Sequence, residues 1–140
     1  MENNLFNEKY KDKLISFIKE TFKRPLNNIT ENTYDSCISA LGKYIFYKSE
    51  NNNENINSAS EFIKLIPLKY DKDENTKICN EFMEQIINNN PLILNDVNHP
   101  LAKEAILRII EKRKEDGFEG ISIDKLIIVS ILFQINAENI

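Results

Sequence analysis

His99 is the only histidine of the chain, and Cys37 and Cys79 are its only cysteines. A nucleophile activated by a histidine needs a neighbouring hydroxyl or thiol and a carboxylate that orients the imidazole. Nothing around His99 supplies that set. It stands directly before Pro100, in the setting of a turn residue. One histidine and two separated cysteines also fall short of a tetrahedral zinc set. Asp71, Asp73 and Glu74 resemble the start of a calcium loop, but the central glycine and the bidentate glutamate at the twelfth position are missing. Acidic residues in that spacing suit the positive end of a helix instead. The sequence therefore assigns no catalytic, cofactor-binding or metal-ligating residue, and the chain reads as a protein that is not an enzyme and uses no cofactor.

The remaining candidates act through surface charge. Glu81 and Glu84 fall three residues apart on the polar side of a helical pattern, and Asp35 lies on another. Single screened surface charges contribute little, but several together steer a basic partner. Asp35, Glu81 and Glu84 are the candidate partner-facing residues. The competing reading is a solvated helix face, the ordinary fate of such carboxylates.

The bulk numbers set the frame. A chain of 140 residues is long enough to bury a core. Its net charge of −4 excludes the basic footprint of a general nucleic-acid binder. The N-terminal residues are polar and lack the apolar segment of a secretion signal. The most apolar run, Leu126 to Ile135, is too short to span a bilayer, so no membrane role is expected. The cysteines sit inside helix patterns rather than at staple spacings, which fits a reducing compartment. Asn, Ile and Lys are abundant together, which reads as a composition bias rather than a functional signal. With 3 Gly and 4 Pro, breakers are few, and long helices with short turns follow.

Six helical patterns emerge. Tyr10, Leu14, Phe17, Ile18 and Thr21 share one face of the first, which Pro25 stops. Thr30 is placed to cap the second, whose apolar face is Tyr34, Cys37, Ile38, Leu41, Tyr44 and Ile45. Ser49 to Asn57 reads as a flexible polar loop. Ser58 is placed to cap a short third helix burying Ala59, Phe62, Ile63 and Ile66, with Pro67 at its end. A fourth starts near Asp71 to Asp73 and buries Ile78, Cys79, Phe82, Met83 and Ile86, closing at Asn88 to Pro91. Pro100 suits the first turn of the fifth, which uses Ala102, Ala105, Ile106, Ile109 and Ile110. Ser122 is placed to cap a sixth, in which Leu126, Ile127, Ile128, Val129, Ile131, Leu132, Phe133 and Ile135 nearly surround the axis. Such a helix is packed on several sides, or it marks a contact surface.

These patterns predict an all-α domain over residues 1–140, built of helix pairs at about 5–48, 58–90 and 100–138. The second, fourth and sixth helices recur about every forty to fifty residues, the period of HEAT-type repeats. Each pair buries only one face alone, so neighbours must stack as an α-solenoid.

Two segments carry a more specific likeness. Asn32 and Cys37-Ile38-Ser39-Ala40-Leu41-Gly42-Lys43 match a helix of the form Asn-x-x-x-x-(Cys/Ala)-(Ile/Val)-Ser-Ala-(Leu/Val)-Gly-Lys. Phe62-Ile63-Lys64-Leu65-Ile66-Pro67-Leu68-Lys69-Tyr70-Asp71-Lys72-Asp73-Glu74 matches Trp-Leu-x-x-Leu-Pro-Leu-x-x-Asp-Lys-Glu-Glu. Asn89-Asn90-Pro91-Leu92-Ile93-Leu94 follows as a third element. In this order the chain resembles the C-terminal end of the importin-beta (karyopherin-beta) family, nearest its importin beta-three branch, from about Thr30 to Leu101. Phe62 stands where that branch usually has Trp, and Asn95 where it often has Gly.

The resemblance implies a C-terminal piece of a much longer nuclear import receptor, shuttling between cytoplasm and nucleus. Such receptors bind cargo with basic signals on the concave side of the solenoid. They bind Phe-Gly nucleoporins between outer helices, and Ran GTPase mainly through N-terminal repeats absent here. The alternative is a HEAT or armadillo assembly scaffold unrelated to transport. In either case some of Phe6, Tyr10, Phe17 and Phe22 are expected to be exposed where a preceding repeat would pack.

Overall fold

A computed structural model of the chain describes residues 8–21, 28–47, 50–116 and 120–136. They form α1 (Glu8–Thr21), α2 (Asn28–Tyr47), α3 (Asn53–Ile63), α4 (Lys72–Ile87), α5 (Asn98–Asp116) and α6 (Ile123–Leu132). Among the described residues there is no strand. The stop at Pro25 and the rings of Phe6 and Phe22 lie outside them.

α3, α4 and α6 start where side chains satisfy free amide groups. Asp71 caps α4 by accepting from Glu74 N at 3.0 Å. Ser122 caps α6 by accepting from Lys125 N at 3.2 Å. Two predicted starts are displaced. α2 begins at Asn28, ahead of Thr30. α3 begins at Asn53, inside the stretch expected to be a loop, with Asn52 rather than Ser58 as its cap. Asn52 Oδ1 accepts from Asn55 N at 2.8 Å, and Asn55 Nδ2 donates to Glu50 O at 2.8 Å. Ser58 sits inside the helix and donates back to Glu54 O. The abundance of Asn was thus not inert composition here: its short amide side chain competes for local backbone groups and fixes the helix start.

The core runs through all six helices. Phe62, Ile63, Ile78, Cys79, Phe82 and Met83 are fully enclosed, joined by Leu41 and Ile45 of α2 and by Ala105, Ile106 and Ile109 of α5. Phe62 meets Phe46 and Phe82 edge-on, with centroids 5.5 and 6.3 Å away. Aromatic pairs prefer this arrangement because ring edges and faces carry opposite partial charge. Leu92 and Ile93 of the connector after α4 are buried as well. On α1, Tyr10 and Phe17 are half-buried.

The packing partners follow an ordered succession. α1 packs on α2, and α2 on α3. Beyond these neighbours, α2 packs on α4 and α4 on α6, while α3 packs on α5 and α5 on α6. Asn98 fastens α5 to α3: its Nδ2 donates to Ile56 O at 3.1 Å and to Leu92 O at 2.7 Å, and its Oδ1 accepts from Ser60 Oγ. Arg108 does the same nearly three turns further along α5. Its Nε and Nη2 donate to Ile66 O and Ile63 O, covering carbonyls at the end of α3. Burial pulls the Arg108 guanidinium below its ordinary pKa, and nearby Glu104 opposes that shift. Lys11, only 1% exposed, ties α1 to α3 through Glu54 at 3.2 Å and Asn55 Oδ1 at 3.4 Å.

Candidate functional site

Asp35 is not a surface residue. Its exposure is 0%, and its Oδ2 accepts from Tyr70 N at 2.8 Å and Asp71 N at 2.7 Å. The expectation that it faces a partner is therefore corrected. Buried carboxylates persist where backbone donors solvate them, and here those donors are the linker that leads into α4. The signal was present in the sequence. Asp35 shares a helix face with Ile38 and Gly42, all buried, so its position belongs to the core side of α2.

The same arrangement recurs one helix pair later. Asn80 of α4 accepts from Ser122 N at 2.9 Å through Oδ1 and donates to Gly120 O at 3.0 Å through Nδ2. In both cases a side chain on one helix grips the backbone amide of the residue that caps the next: Asp35 to Asp71, and Asn80 to Ser122. Asn75 adds to the first joint by accepting from Leu68 N at 2.7 Å. Asp35 Oδ1 and Asn75 Nδ2, both buried, have no partner.

Glu81 and Glu84 remain on the partly exposed side of α4. The structure adds two residues to them. Tyr47, exposed at the end of α2, donates from its hydroxyl to Glu81 Oε2 at 3.5 Å. Burial, with Glu81 next and Glu84 contributing, raises the Tyr47 hydroxyl above its ordinary pKa. Lys125 of α6 lies 3.3 Å from Glu84 Oε1. This makes an aromatic and acidic strip across α2, α4 and α6, with one lysine laid over it. Sequence reading missed Tyr47 and Lys125, because nothing local distinguishes them from other polar-face residues.

The acidic residues at the start of α4 have internal roles. Asp71 is a cap, and Glu74 accepts from Ser39 Oγ at 2.5 Å with Lys43 Nζ at 3.6 Å. Ser39, Lys43 and Glu74 border a cleft of about 330 Å³ that Tyr10 also lines. Among the described residues no group of three or more His, Cys, Asp or Glu side chains could hold a metal. His99 lies on the first turn of α5, with its ring against Phe133 at 4.9 Å. Burial pushes the Cys79 thiol up to about 12, with Lys112 opposing, and raises Cys37 too. Neither carries the depressed pKa of a reactive thiolate.

Comparison with protein-family models, with curated proteins and with solved structures gives no match. No described helix is long and apolar enough to cross a membrane.

Proposed function

We propose that the chain is a stack of HEAT-type helix pairs from the C-terminal part of an importin-beta family nuclear import receptor, and that it contributes surface for a basic protein cargo. The observation that carries the solenoid reading is the repeated joint, in which Asp35 holds the Asp71 amide and Asn80 holds the Ser122 amide. A linkage repeated between successive pairs is what stacked repeats require, since each pair is stabilised by its neighbour. The packing of α2 on α4, α4 on α6 and α3 on α5 supports two parallel layers of helices. The importin likeness rests on the sequence elements, and their packing is consistent with it. Gly42 of the first lies against Phe62 of the second.

In this reading the work is reversible binding. The strip of Tyr47, Glu81 and Glu84 spans helices that belong to one layer, so a basic segment lying across them meets carboxylates from an adaptable curved surface. Ran GTPase and Phe-Gly nucleoporins are partners of the whole receptor. This segment binds GTP-loaded Ran weakly or not at all, because the main Ran-binding repeats lie elsewhere in such proteins.

The test is titration calorimetry with a lysine-rich nuclear-signal peptide. Saturable binding that weakens with salt and is lost in Glu81→Lys/Glu84→Lys supports the reading. Binding indifferent to that double substitution, or tight binding of GTP-loaded Ran, overturns it. The second reading, a HEAT or armadillo assembly scaffold, is favoured by the same joints. It gains if no basic peptide binds.

A further inference from the structure

The end of α3, the linker behind it and the C-terminal half of α5 border a cleft of about 330 Å³. Its floor is apolar, from Leu65, Ile66, Pro67 and Leu68. Its walls carry four cations, Lys64 and Lys69 on the α3 side and Arg108 and Lys112 on α5, against two carboxylates, Glu111 and Glu115. The chain as a whole has the opposite balance, with a net charge of −4. We propose that this cleft binds a short acidic segment of a partner protein, in which an apolar side chain is flanked by carboxylates.

The first argument is charge. Covering the open carbonyls of α3 accounts for one of these cations, Arg108, whose Nε and Nη2 donate to Ile66 O and Ile63 O. Lys64 and Lys69 have no such role. Both are exposed, and among the described residues neither side chain meets a carboxylate. Cations gathered around a concave surface draw in anions and orient them. Arg108 contributes in a second way. Its two carbonyl bonds hold the guanidinium in place and leave Nη1 for a carboxylate. A side chain already ordered loses less freedom on binding than an unbound lysine does.

The second argument is shape, which decides the kind of anion. A phosphate or other single ion seats where donors converge. Here the cations of α3 and its linker face those of α5 with hydrocarbon between them. Leu65 and Pro67 are half-buried, so apolar surface stays open to an incoming side chain. An extended segment turns successive side chains to opposite faces. An apolar residue then meets the floor, while the carboxylates beside it turn outward to the rim that the long lysine side chains reach. The volume suits one or two side chains rather than a folded partner. Glu111 and Glu115, a turn apart on α5, repel an unbroken acidic run, and a nucleic-acid backbone for the same reason. The cleft belongs to α3 and α5, whereas Glu81 and Glu84 lie on α4, so the two surfaces take segments of opposite charge independently.

Fluorescence anisotropy of the 140-residue chain with a labelled peptide of two glutamates, a leucine and two more glutamates tests this. The expected result is saturable binding that weakens with added salt. Lys64→Glu/Lys69→Glu weakens it by about tenfold or more, with the helical circular dichroism unchanged. Glu111→Gln tightens it by about two- to fivefold, a gain that misfolding does not produce. No saturable binding up to about 1 mM chain, the scale of the weakest specific association, overturns the proposal. So does binding untouched by the double substitution, or equal binding of a peptide with glutamines for its glutamates or glycine for its leucine. Displacement of the peptide by millimolar inorganic phosphate at constant ionic strength also overturns it, in favour of a single-anion site. Binding of the lysine-rich peptide through Glu81 and Glu84 is unaffected by Lys64→Glu/Lys69→Glu, so either proposal can fail alone.

Discussion

Gly42 of α2 lies directly under the ring of Phe62 of α3: a Cβ at Gly42 would meet Phe62 Cε1 at 2.5 Å and Cζ at 2.7 Å, with Ile78 Cδ1 at 3.0 Å. The glycine is there for close approach, and the ring is pinned from its other sides by Phe46 and Phe82. Gly42→Ala would favour the helix intrinsically by about 1 kcal/mol, but in a packed core an added methyl costs about 1–3 kcal/mol. Because Phe62 cannot swing away, the second effect wins. Urea unfolding of Gly42→Ala is expected to show a lowered midpoint with an unchanged slope. Phe62→Leu should relieve part of that loss in the double substitution. A Gly42→Ala protein as stable as the parent would mean that the helices sit further apart.

The two joints differ in strength. Asp35 is fully buried and serves two backbone amides with a charge, whereas Asn80 is partly exposed and neutral. Bonds to charged acceptors contribute about 1.5–3 kcal/mol and neutral ones about 1. Asp35→Ala is thus expected to cost about 2–4 kcal/mol, and Asn80→Ala about 1. Amide hydrogen exchange locates the effect: the Asp71 amide loses protection in the first variant, and the Ser122 amide in the second. Equal losses in both would remove the distinction between a stiff and a soft joint.

Much of the fold was legible because apolar side chains recur with helical period. The buried sets of α4 and α5 follow from spacing alone, and Asp71 and Ser122 stand where caps must be. The failures have one physical root. Asn52 and Asn55 read as part of a flexible loop and Asp35 as facing a partner, yet they, and Asn98 with them, bind backbone groups inside the structure. Periodicity places Asp35 on the buried face of α2, but the partners of these side chains are distant in sequence or lie in turns, so spacing carries no trace of which groups they bind. The face of α6 was ambiguous for another reason. Isoleucines all round a helix do not tell which side meets protein, and that depends on how α4 and α5 approach. Of the candidate site, Glu81 and Glu84 were legible as polar-face carboxylates. Tyr47 and Lys125 join them only through the packing of α2, α4 and α6.

Alkaline pH should loosen the core near α2 and α4. Burial lifts Cys79 to about 12, and burial with the Asp35 carboxylate and then Tyr70 lifts Tyr34 to about 12. Both groups release protons at lower pH in the unfolded chain, near 8.5 to 10. The folded state then binds more protons, and stability falls as pH rises. The contribution is whole below about pH 8.5 and lost progressively toward 12. Urea midpoints are expected to be flat between pH 7 and 8, then to decline from 9 to 11. Cys79→Ala should remove part of that slope while costing stability at neutral pH. Thiol labelling follows the same order, with half-buried Cys37 modified well before Cys79.

Lys125 gives the acidic strip a resident cation. Its ammonium lies 3.3 Å from Glu84 Oε1, and both side chains are partly exposed. If a basic segment uses Glu84, as proposed above, it must displace Lys125, so the internal pair competes with that proposed partner. Exposed pairs of this kind contribute about 0–1 kcal/mol, which bounds the competition at about fivefold in affinity. Lys125→Ala is expected to tighten binding of a lysine-rich peptide by about two- to fivefold. Glu84→Gln should weaken it and make the Lys125 substitution silent. Competition predicts that the gain shrinks at high salt, where both pairs are screened. A Lys125→Ala chain that binds the peptide no better than the parent would place the basic segment elsewhere on the layer, away from Glu84.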